Sequence, residues 1–473
     1  MWLFKNLDMK LKINDQTISV NDFSTDSRRI KKGDLFIAYK GVNYDLHDFI
    51  LDAIRNGAKV VVGERSLDSL PEVEKKPNVQ YFQVKDGRGF WAETCAKKYG
   101  NPQKKLKIIG VTGTDGKTTT CTLIYEILKT AGKKVGIIST VGAGYKGKNI
   151  FIDSHTTTPS PDILFKLLKD MVDAGTEYVV LEVSSHGLVQ KRIHGINFIA
   201  CAVTNVTPEH LDIHGNYKSL VKDKALIFKV SDAVFLNKNG IGIGRIKKFI
   251  SRTNKLFEVG QKDKVLRKIA GNSDFKGRFP GEYNMQNTAL AISIARHLGV
   301  SDEDIYRGVI QANPPEGRFQ YVPNKKGLNV IVDFAHTENA LKSVLNVVWN
   351  KRKKREKIIA VFGCAGERDR QKRHAMGKVA SELCDIVVLT LEDPRSEDPQ
   401  KIIADIASGS HKFPFIIEPD RKKAIEKAIN MAEKGDWVLM LGKGHERSMN
   451  ISGEELPWSD FVVAQETLSQ MRC

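Results

Sequence analysis

Gly110-Val-Thr-Gly113-Thr-Asp-Gly116-Lys117-Thr118-Thr119 follows the apolar run Leu106 to Val111 and opens a segment whose Leu123, Ile124, Ile127 and Leu128 fall on one helical face. Strand, glycine-rich turn and helix in that order make a phosphate cradle. Glycines let backbone N–H groups approach phosphate oxygens, the helix start adds positive potential, Lys117 reaches the terminal phosphates, and the Thr118 hydroxyl suits Mg²⁺. ATP is therefore the expected ligand, with Gly113, Thr114, Asp115, Gly116, Lys117, Thr118 and Thr119 around it. Val111 stands where the general G-x-x-x-x-G-K-[ST] pattern has its first glycine, so the loop is a variant of that pattern.

Outward from this loop the pattern repeats. Short apolar runs at Tyr178 to Val183, Phe198 to Val203 and Ala233 to Leu236 alternate with amphipathic stretches, which predicts strand-helix units on a largely parallel sheet. A second α/β set begins at Asn329 to Asp333 and continues through Ile358 to Phe362, Ile386 to Leu389 and Trp437 to Leu441. Before residue 104 the chain reads as short strands and turns. At 473 residues and about 150 per domain, three domains are expected, placed at 1–103, 104–323 and 324–473. Ligands of open α/β sheets collect at the carboxyl ends of strands, so the polar residues there are the candidates for chemistry.

Glu182 ends one such strand, where it suits Mg²⁺ or is a plain strand-end charge. After the next strand, Thr204-Asn205-Val-Thr-Pro-Glu209-His210-Leu-Asp212-Ile-His214-Gly215 gathers two acids and two histidines beyond Asn205. Zinc is an alternative in principle, but no cysteine or third histidine completes a tetrahedral set, and magnesium shared with ATP fits better. Lys224 lies ten residues beyond His214 in a helical pattern whose bland reading is a lysine facing solvent.

The composition, 41% hydrophobic and 27% charged with no low-complexity tract, is that of a globular protein. Its net charge of +18 suits either a nucleic-acid or membrane surface or polyanionic small molecules. The lysines are spread out, and the densest run, Lys351 to Lys357, sits between a helical segment and a strand, which favours a solvated face and no nucleic-acid partner. The start turns polar after four residues and no apolar run approaches the ~20 residues of a membrane span, so a cytoplasmic monomer without membrane insertion is expected. Cys95, Cys121, Cys201, Cys364, Cys384 and Cys473 are scattered and read as reduced thiols, mostly in cores.

Leu181-Glu-Val-Ser184-Ser-His-Gly-Leu-Val-Gln190-Lys-Arg192, taken with the Thr204 to Gly215 run, resembles the middle domain of the Mur ligase family, in particular its members that add the third residue of the peptide. Thr25-Asp-Ser27-Arg28 and Asp45-x-His47-Asp-Phe49 resemble the family's amino-terminal domain. Gly281-Glu-Tyr-Asn284-Met-Gln-Asn287, Gly317-Arg318, Asp333-Phe-Ala-His336, Gly363-Cys-Ala-Gly366-Glu-Arg368 and Gly442-Lys-Gly-His-Glu446 extend the match over nearly the whole chain. The fold this implies is α/β in three domains: a P-loop ATPase-type parallel sheet, an amino-terminal UDP-binding domain and a carboxyl-terminal Rossmann-like domain.

The resemblance implies an ATP-dependent ligase of cell-wall precursor synthesis, working through an acyl phosphate. Lys117, Glu182, His210 and Lys224 would be catalytic, with Mg²⁺ held by Thr118, Glu182, His210 and a carbamylated Lys224. Asn287, Arg318, Asp333 and His336 would join the ATP side, and Ser27, Thr157, Thr158, Ser184, Gln190 and Arg192 would hold the UDP-linked muramoyl dipeptide. Arg368, Asp393, Arg395, Gly442 and Glu446 would receive the incoming diamino acid. In the family, Asp-Asn-Pro-Arg accompanies meso-diaminopimelate, and the guanidinium of Arg395 suits a distal carboxylate. Here that run is Glu392-Asp393-Pro394-Arg395, and the added acid suits an amine, so L-lysine is the alternative. Two further departures are Glu209, usually aspartate, and Glu338, usually proline. Outside this function, a P-loop ATPase or non-catalytic partner protein explains the charge but leaves Glu182, His210 and Lys224 without a role.

Overall fold

The computed structural model describes residues 9–41, 44–152 and 156–471, so Cys473 lies outside the described residues. They form two compact units. The first holds residues 9–107 with Thr158–Thr176 and His186–Asn197; the second holds Ile108–Thr157, Glu177–Ser185 and the chain from Phe198 onward.

In the first unit Phe23–Ser24, Leu35–Ile37, Val60–Gly63 and Gln80–Gln83 form a four-stranded parallel sheet. Its two inner strands are buried throughout, as expected of a parallel sheet covered on both faces. A hairpin of Met9–Ile13 and Gln16–Val20 turns on Asn14 and Asp15, both at positive φ (45° and 64°), as a two-residue hairpin turn requires. Leu11, Ile13, Ile18 and Val20 alternate inward to the core.

Among the described residues the second unit carries two large sheets and a two-stranded hairpin of Ser448–Ile451 and Glu454–Pro457. The larger has eight strands, in the spatial order Lys148–Ile150, Gly142–Tyr145, Val135–Ser139, Tyr178–Glu182, Lys107–Thr112, Phe198–Val203, Ser231–Asn237, Lys255–Val259. The chain order reverses around Lys107–Thr112, which opens a crevice at that strand's carboxyl end, where the phosphate loop begins. The helix Lys117–Thr130 buries Leu123, Ile124, Ile127 and Leu128 in a core shared with Leu290, Ile305 and Val309. Gly308 lets two helices touch there: a Cβ would stand 2.6 Å from the Ile127 Cα.

The smaller sheet has six strands, ordered Gln320–Tyr321, Asn329–Asp333, Trp437–Leu441, Ile358–Phe362, Ile386–Leu389, Ile416–Ile417, parallel except at its first pair. The helices Glu338–Lys351, Gln371–Leu383 and Pro399–Ala407 contribute to one core, and Arg421–Met431 and Asp460–Gln470 to another. Lys353, Lys354 and Arg355 of the basic run are exposed between helix and strand, a solvated face as expected. The five cysteines among the described residues are buried and free. No helix among those residues is long and apolar enough to cross a membrane.

Arg421 and Asp460, both fully buried, tie the last two helices together through two hydrogen bonds of 2.7 and 2.6 Å. Arg421 also donates to the Leu391 and Leu441 carbonyls, each at 3.0 Å. Removing the carboxylate strands a buried cation, so Asp460→Ala is expected to cost about 3–5 kcal/mol, read as a fall in the urea midpoint; a shift under about 1 kcal/mol would mean that the guanidinium finds water instead.

Candidate functional site

Three backbone constraints shape the phosphate loop. Gly113 lies at φ 142°, where a Cβ would come within 2.0 Å of Thr204 Oγ1, and Gly116 at φ 83°, where it would meet the Asn287 amide at 2.5 Å. The loop is also docked on the turn after Phe198–Val203: Thr114 N donates to the Asn205 carbonyl (3.0 Å), and Thr207 N donates to Thr114 Oγ1 (3.0 Å). Lys117 Nζ is held over the loop by the Gly113 and Thr114 carbonyls at 3.1 and 2.6 Å.

Thr118 Oγ1 donates to Glu182 Oε1 at 3.1 Å, and Glu182 Oε2 accepts from Thr140 N at 2.9 Å. The Thr118 hydroxyl also accepts from Arg318 Nη2 at 3.3 Å, and Arg318 lies 4.6 Å over the Phe334 ring. Arg318 Nε is buried without a hydrogen-bond partner. Lys224 is 1% exposed, not solvent-facing; its Nζ donates to Glu209 Oε1 at 2.7 Å and to the Gly113 carbonyl at 2.9 Å. Burial pushes the Lys224 amine below its usual range, while Lys224, hydrogen-bonded to Glu209, lowers the pKa of that carboxylate against the carboxylate's own burial. His210, at φ 49°, is pushed down to about 3 by burial and is neutral at physiological pH. His214 is a structural clamp: Nδ1 is 2.7 Å from Asp223 Oδ2 and Nε2 is 3.0 Å from Ser185 Oγ. Among the described residues no three histidine, cysteine, aspartate or glutamate side chains converge as a metal cluster.

A cavity of about 540 Å³ joins this edge to the second sheet, with Glu209 and His210 on one wall and His336, Arg368, Arg395 and Glu446 among the residues opposite. Asp333 is buried, its carboxylate accepting from Phe319 N and Ala335 N at 2.6 and 2.8 Å. His336 is pushed down to about 3 by burial, and its carbonyl accepts from Lys372 Nζ at 2.7 Å. Asp393 does not stand free: Lys443 Nζ and Asn450 N donate to Oδ1 at 2.8 and 2.9 Å, and Lys443 also pairs with Glu446 at 2.6 Å. Arg395 takes a positive φ of 53° and is pinned through its main chain to Asn450 and Ser452. Glu392 is buried with Oε2 unbonded, and Gly442 gives it room, since a Cβ there would stand 2.7 Å away. Sequence reasoning did not place Lys372 or Lys443, and it placed Glu392 at the amino-acid side without its burial; the Gly-Lys-Gly-His-Glu run was the signal for Lys443.

In the first unit Arg192 Nη1 donates to the Thr158 carbonyl at 2.6 Å, and Nη2 to Gln190 Oε1 at 2.7 Å. Burial lowers the pKa of this guanidinium and Arg88 acts in the same direction. Arg88 lies 4.7 Å over the Tyr39 ring, on which Trp91 stacks at 5.9 Å, a group that no sequence motif marked. Ser27 is buried and its carbonyl accepts from Asn56 Nδ2 at 2.9 Å. Thr157 and Ser184 belong to the second unit.

A glycine-rich phosphate loop at a sheet switch point, with a cavity that faces a second nucleotide-fold sheet, defines a nucleotide-handling α/β protein of several modules. Family models match in order along the chain: "Mur ligase family, catalytic domain" at residues 20–99, "Mur ligase middle domain" at 111–295 and "Mur ligase, glutamate ligase domain" at 317–444. The chain is 36% identical to UDP-N-acetylmuramoyl-L-alanyl-D-glutamate--2,6-diaminopimelate ligase of Clostridium perfringens, covering 98% of each. A solved structure of a ligase with that name matches with TM-score 0.61 at 26% identity, over 98% of this chain and 99% of that one. The MurF ligase of Thermotoga maritima, solved with ADP, shares the fold with TM-score 0.58 at 19% identity, over 95% and 96%. The chain belongs to the Mur ligase family and has its three-domain fold.

Burial pushes the Glu392 carboxyl up to about 7 from a usual 4.5. The folded chain therefore keeps this proton to higher pH than the unfolded chain does, and the stability it contributes is complete below about 4.5 and lost as pH rises through about 7. Glu392→Gln, which cannot ionise, should raise the urea midpoint near pH ~8 and leave it unchanged near pH ~4.5; equal effects at both would show that Glu392 titrates normally in the fold.

Proposed function

We propose that this chain is an ATP-dependent amide ligase that adds meso-diaminopimelate to UDP-N-acetylmuramoyl-L-alanyl-D-glutamate. The observation that carries the reading is the full-length similarity to ligases of that name, together with a cavity lined by Arg368, Arg395, Glu446 and Glu209. Glu209 and Glu446 are paired with Lys224 and Lys443, so the guanidinium groups are the charges left to meet the carboxylates of an incoming amino acid.

In the proposed reaction the carboxylate of the dipeptide attacks the γ-phosphorus of ATP; the bond to the β-phosphate oxygen breaks and ADP leaves. The free amine then attacks the acyl carbon, phosphate departs and the nitrogen loses a proton. Lys117 and the Arg318 guanidinium, whose Nε has no hydrogen-bond partner, supply positive charge beside the loop. Thr118 Oγ1 and Glu182, joined at 3.1 Å, are hard oxygen donors of the kind Mg²⁺ takes and would hold it. Bound there, the ion would neutralise charge on the transferring phosphoryl group. Lys224, buried and with a depressed pKa, suits the neutral amine that carbamylation needs, which would make it an oxygen ligand beside His210. Asn287, Asp333 and His336 are assigned to the ATP side; Ser27, Thr157, Thr158, Ser184, Gln190 and Arg192 to the UDP-linked substrate; Asp393 and Gly442 to the amino-acid side. The domain limits near residues 103 and 323 belong to the same proposal.

Phosphate release with ATP, Mg²⁺ and the UDP-linked dipeptide tests the reading. Stimulation by meso-diaminopimelate and not L-lysine is expected; stimulation by lysine alone would overturn the choice of amino acid, and none by either would overturn the reaction. Arg395→Ala should raise KM for diaminopimelate by about tenfold to a hundredfold with a smaller change in KM for ATP.

A further inference from the structure

A carboxylate is electrostatically out of place in the middle of a phosphate loop, since it faces polyanionic oxygens of like charge. Asp115 holds that position. Its main chain is already engaged: the N–H donates to Asn205 Oδ1 at 3.0 Å, and the carbonyl accepts from Thr204 Oγ1 at 2.6 Å. Its side chain is engaged directly by a segment of the second sheet's half. Oδ2 accepts from Asn339 Nδ2 at 2.9 Å and Oδ1 from Thr337 Oγ1 at 3.3 Å. Thr337 caps the helix Glu338–Lys351 and Asn339 lies in its first turn, so the carboxylate sits at the positive end of that helix. The charge is thus spent on the protein.

We infer that Asp115 is a positioning residue that fastens the phosphate loop to the start of the helix Glu338–Lys351 and sets the approach of the segment from Asp333 to Thr337 to a nucleotide in the loop. The inference rests on the proposed reading of that loop as the ATP site. Arg318 makes a second tie three residues further along the loop, at Thr118, and stacks on Phe334 within the same segment. Two ties at separate points, one from the start of the helix Glu338–Lys351 and one from Arg318 packed on Phe334, fix both the distance and the rotation of that segment at the loop, which a single contact does not. Burial also raises the Asp115 pKa, which reduces its repulsion toward a bound polyphosphate.

Reciprocal substitution tests this. N339D sets a second carboxylate against Asp115, whereas D115N/N339D restores a donor and an acceptor in the opposite sense. Three readouts are taken on the full chain: kcat and KM of ligation, binding of a fluorescent ATP analogue, and the distance between spin labels on the helices Asp302–Gln311 and Pro399–Ala407. N339D is expected to lower kcat by about tenfold or more and broaden the distance distribution, with nucleotide affinity changed by less than about threefold. The double variant is expected to return kcat to within about threefold of wild type and narrow the distribution again. A double variant as slow as N339D, or an N339D enzyme within about twofold of wild type, overturns the inference. Should N339D fail to fold, Asn339→Leu, which deletes the donor without adding charge, carries the same readouts. If the wild type ligates nothing, the proposed function fails, and the label distances still decide whether Asp115 fastens the modules.

Discussion

Lys224 Nζ lies away from water between the Gly113 carbonyl and the Glu209 carboxylate, 2.9 and 2.7 Å from them. A buried ammonium is costly unless its donors are used, and here they are used on two segments far apart in sequence. One is the phosphate loop and the other the turn that also carries His210. With Lys224 unmodified the pair locks the loop to the next strand's carboxyl end, and two bonds that do not depend on that lysine complete the lock: Thr114 N donates to the Asn205 carbonyl and Asp115 N to Asn205 Oδ1. Thr118, Glu182 and Arg318 then fall into place on the open side. Without that lock the glycines, whose conformations exclude side chains, would leave the loop free to take many shapes.

The strands were legible because parallel strands covered on both faces read as unbroken apolar runs, and Asn329–Asp333, Ile358–Phe362, Ile386–Leu389 and Trp437–Leu441 coincide with theirs. The inward face of Lys117–Thr130 was legible from its period. The grouping of Thr158–Thr176 and His186–Asn197 with the amino-terminal residues was not, since a linear division of the chain has no term for segments that leave one unit for another. Within the site, residue types announced themselves where a motif concentrates them, as at Thr118, Glu182 and His210. Partners did not: Asp115 and Asn339 are 224 residues apart, and nothing local in either marks the other. Lys224 is the instructive intermediate, a residue whose helical surroundings read as solvent-facing and whose burial only the tertiary structure reveals.

The +18 net charge and the chemistry of the cavity act on different scales. The excess lysines are spread along the chain and raise the potential around the molecule, which favours the approach of polyanions without choosing among them. Choice requires desolvated groups in fixed positions. In the cavity wall Asp393 is neutralised by Lys443, which also holds Glu446, so the two acids do not act as two independent charges. Glu392 lacks such a partner at Oε2 and is held partly protonated by burial. The net field felt by an incoming amino acid is therefore less acidic than the run Glu392-Asp393 suggests from sequence, and Arg368 and Arg395 are left to dominate that wall. Both amino acids carry a distal ammonium and only diaminopimelate carries a distal carboxylate, so the attraction of that carboxylate to Arg368 and Arg395 is the physical ground for preferring diaminopimelate to lysine in the proposed reaction.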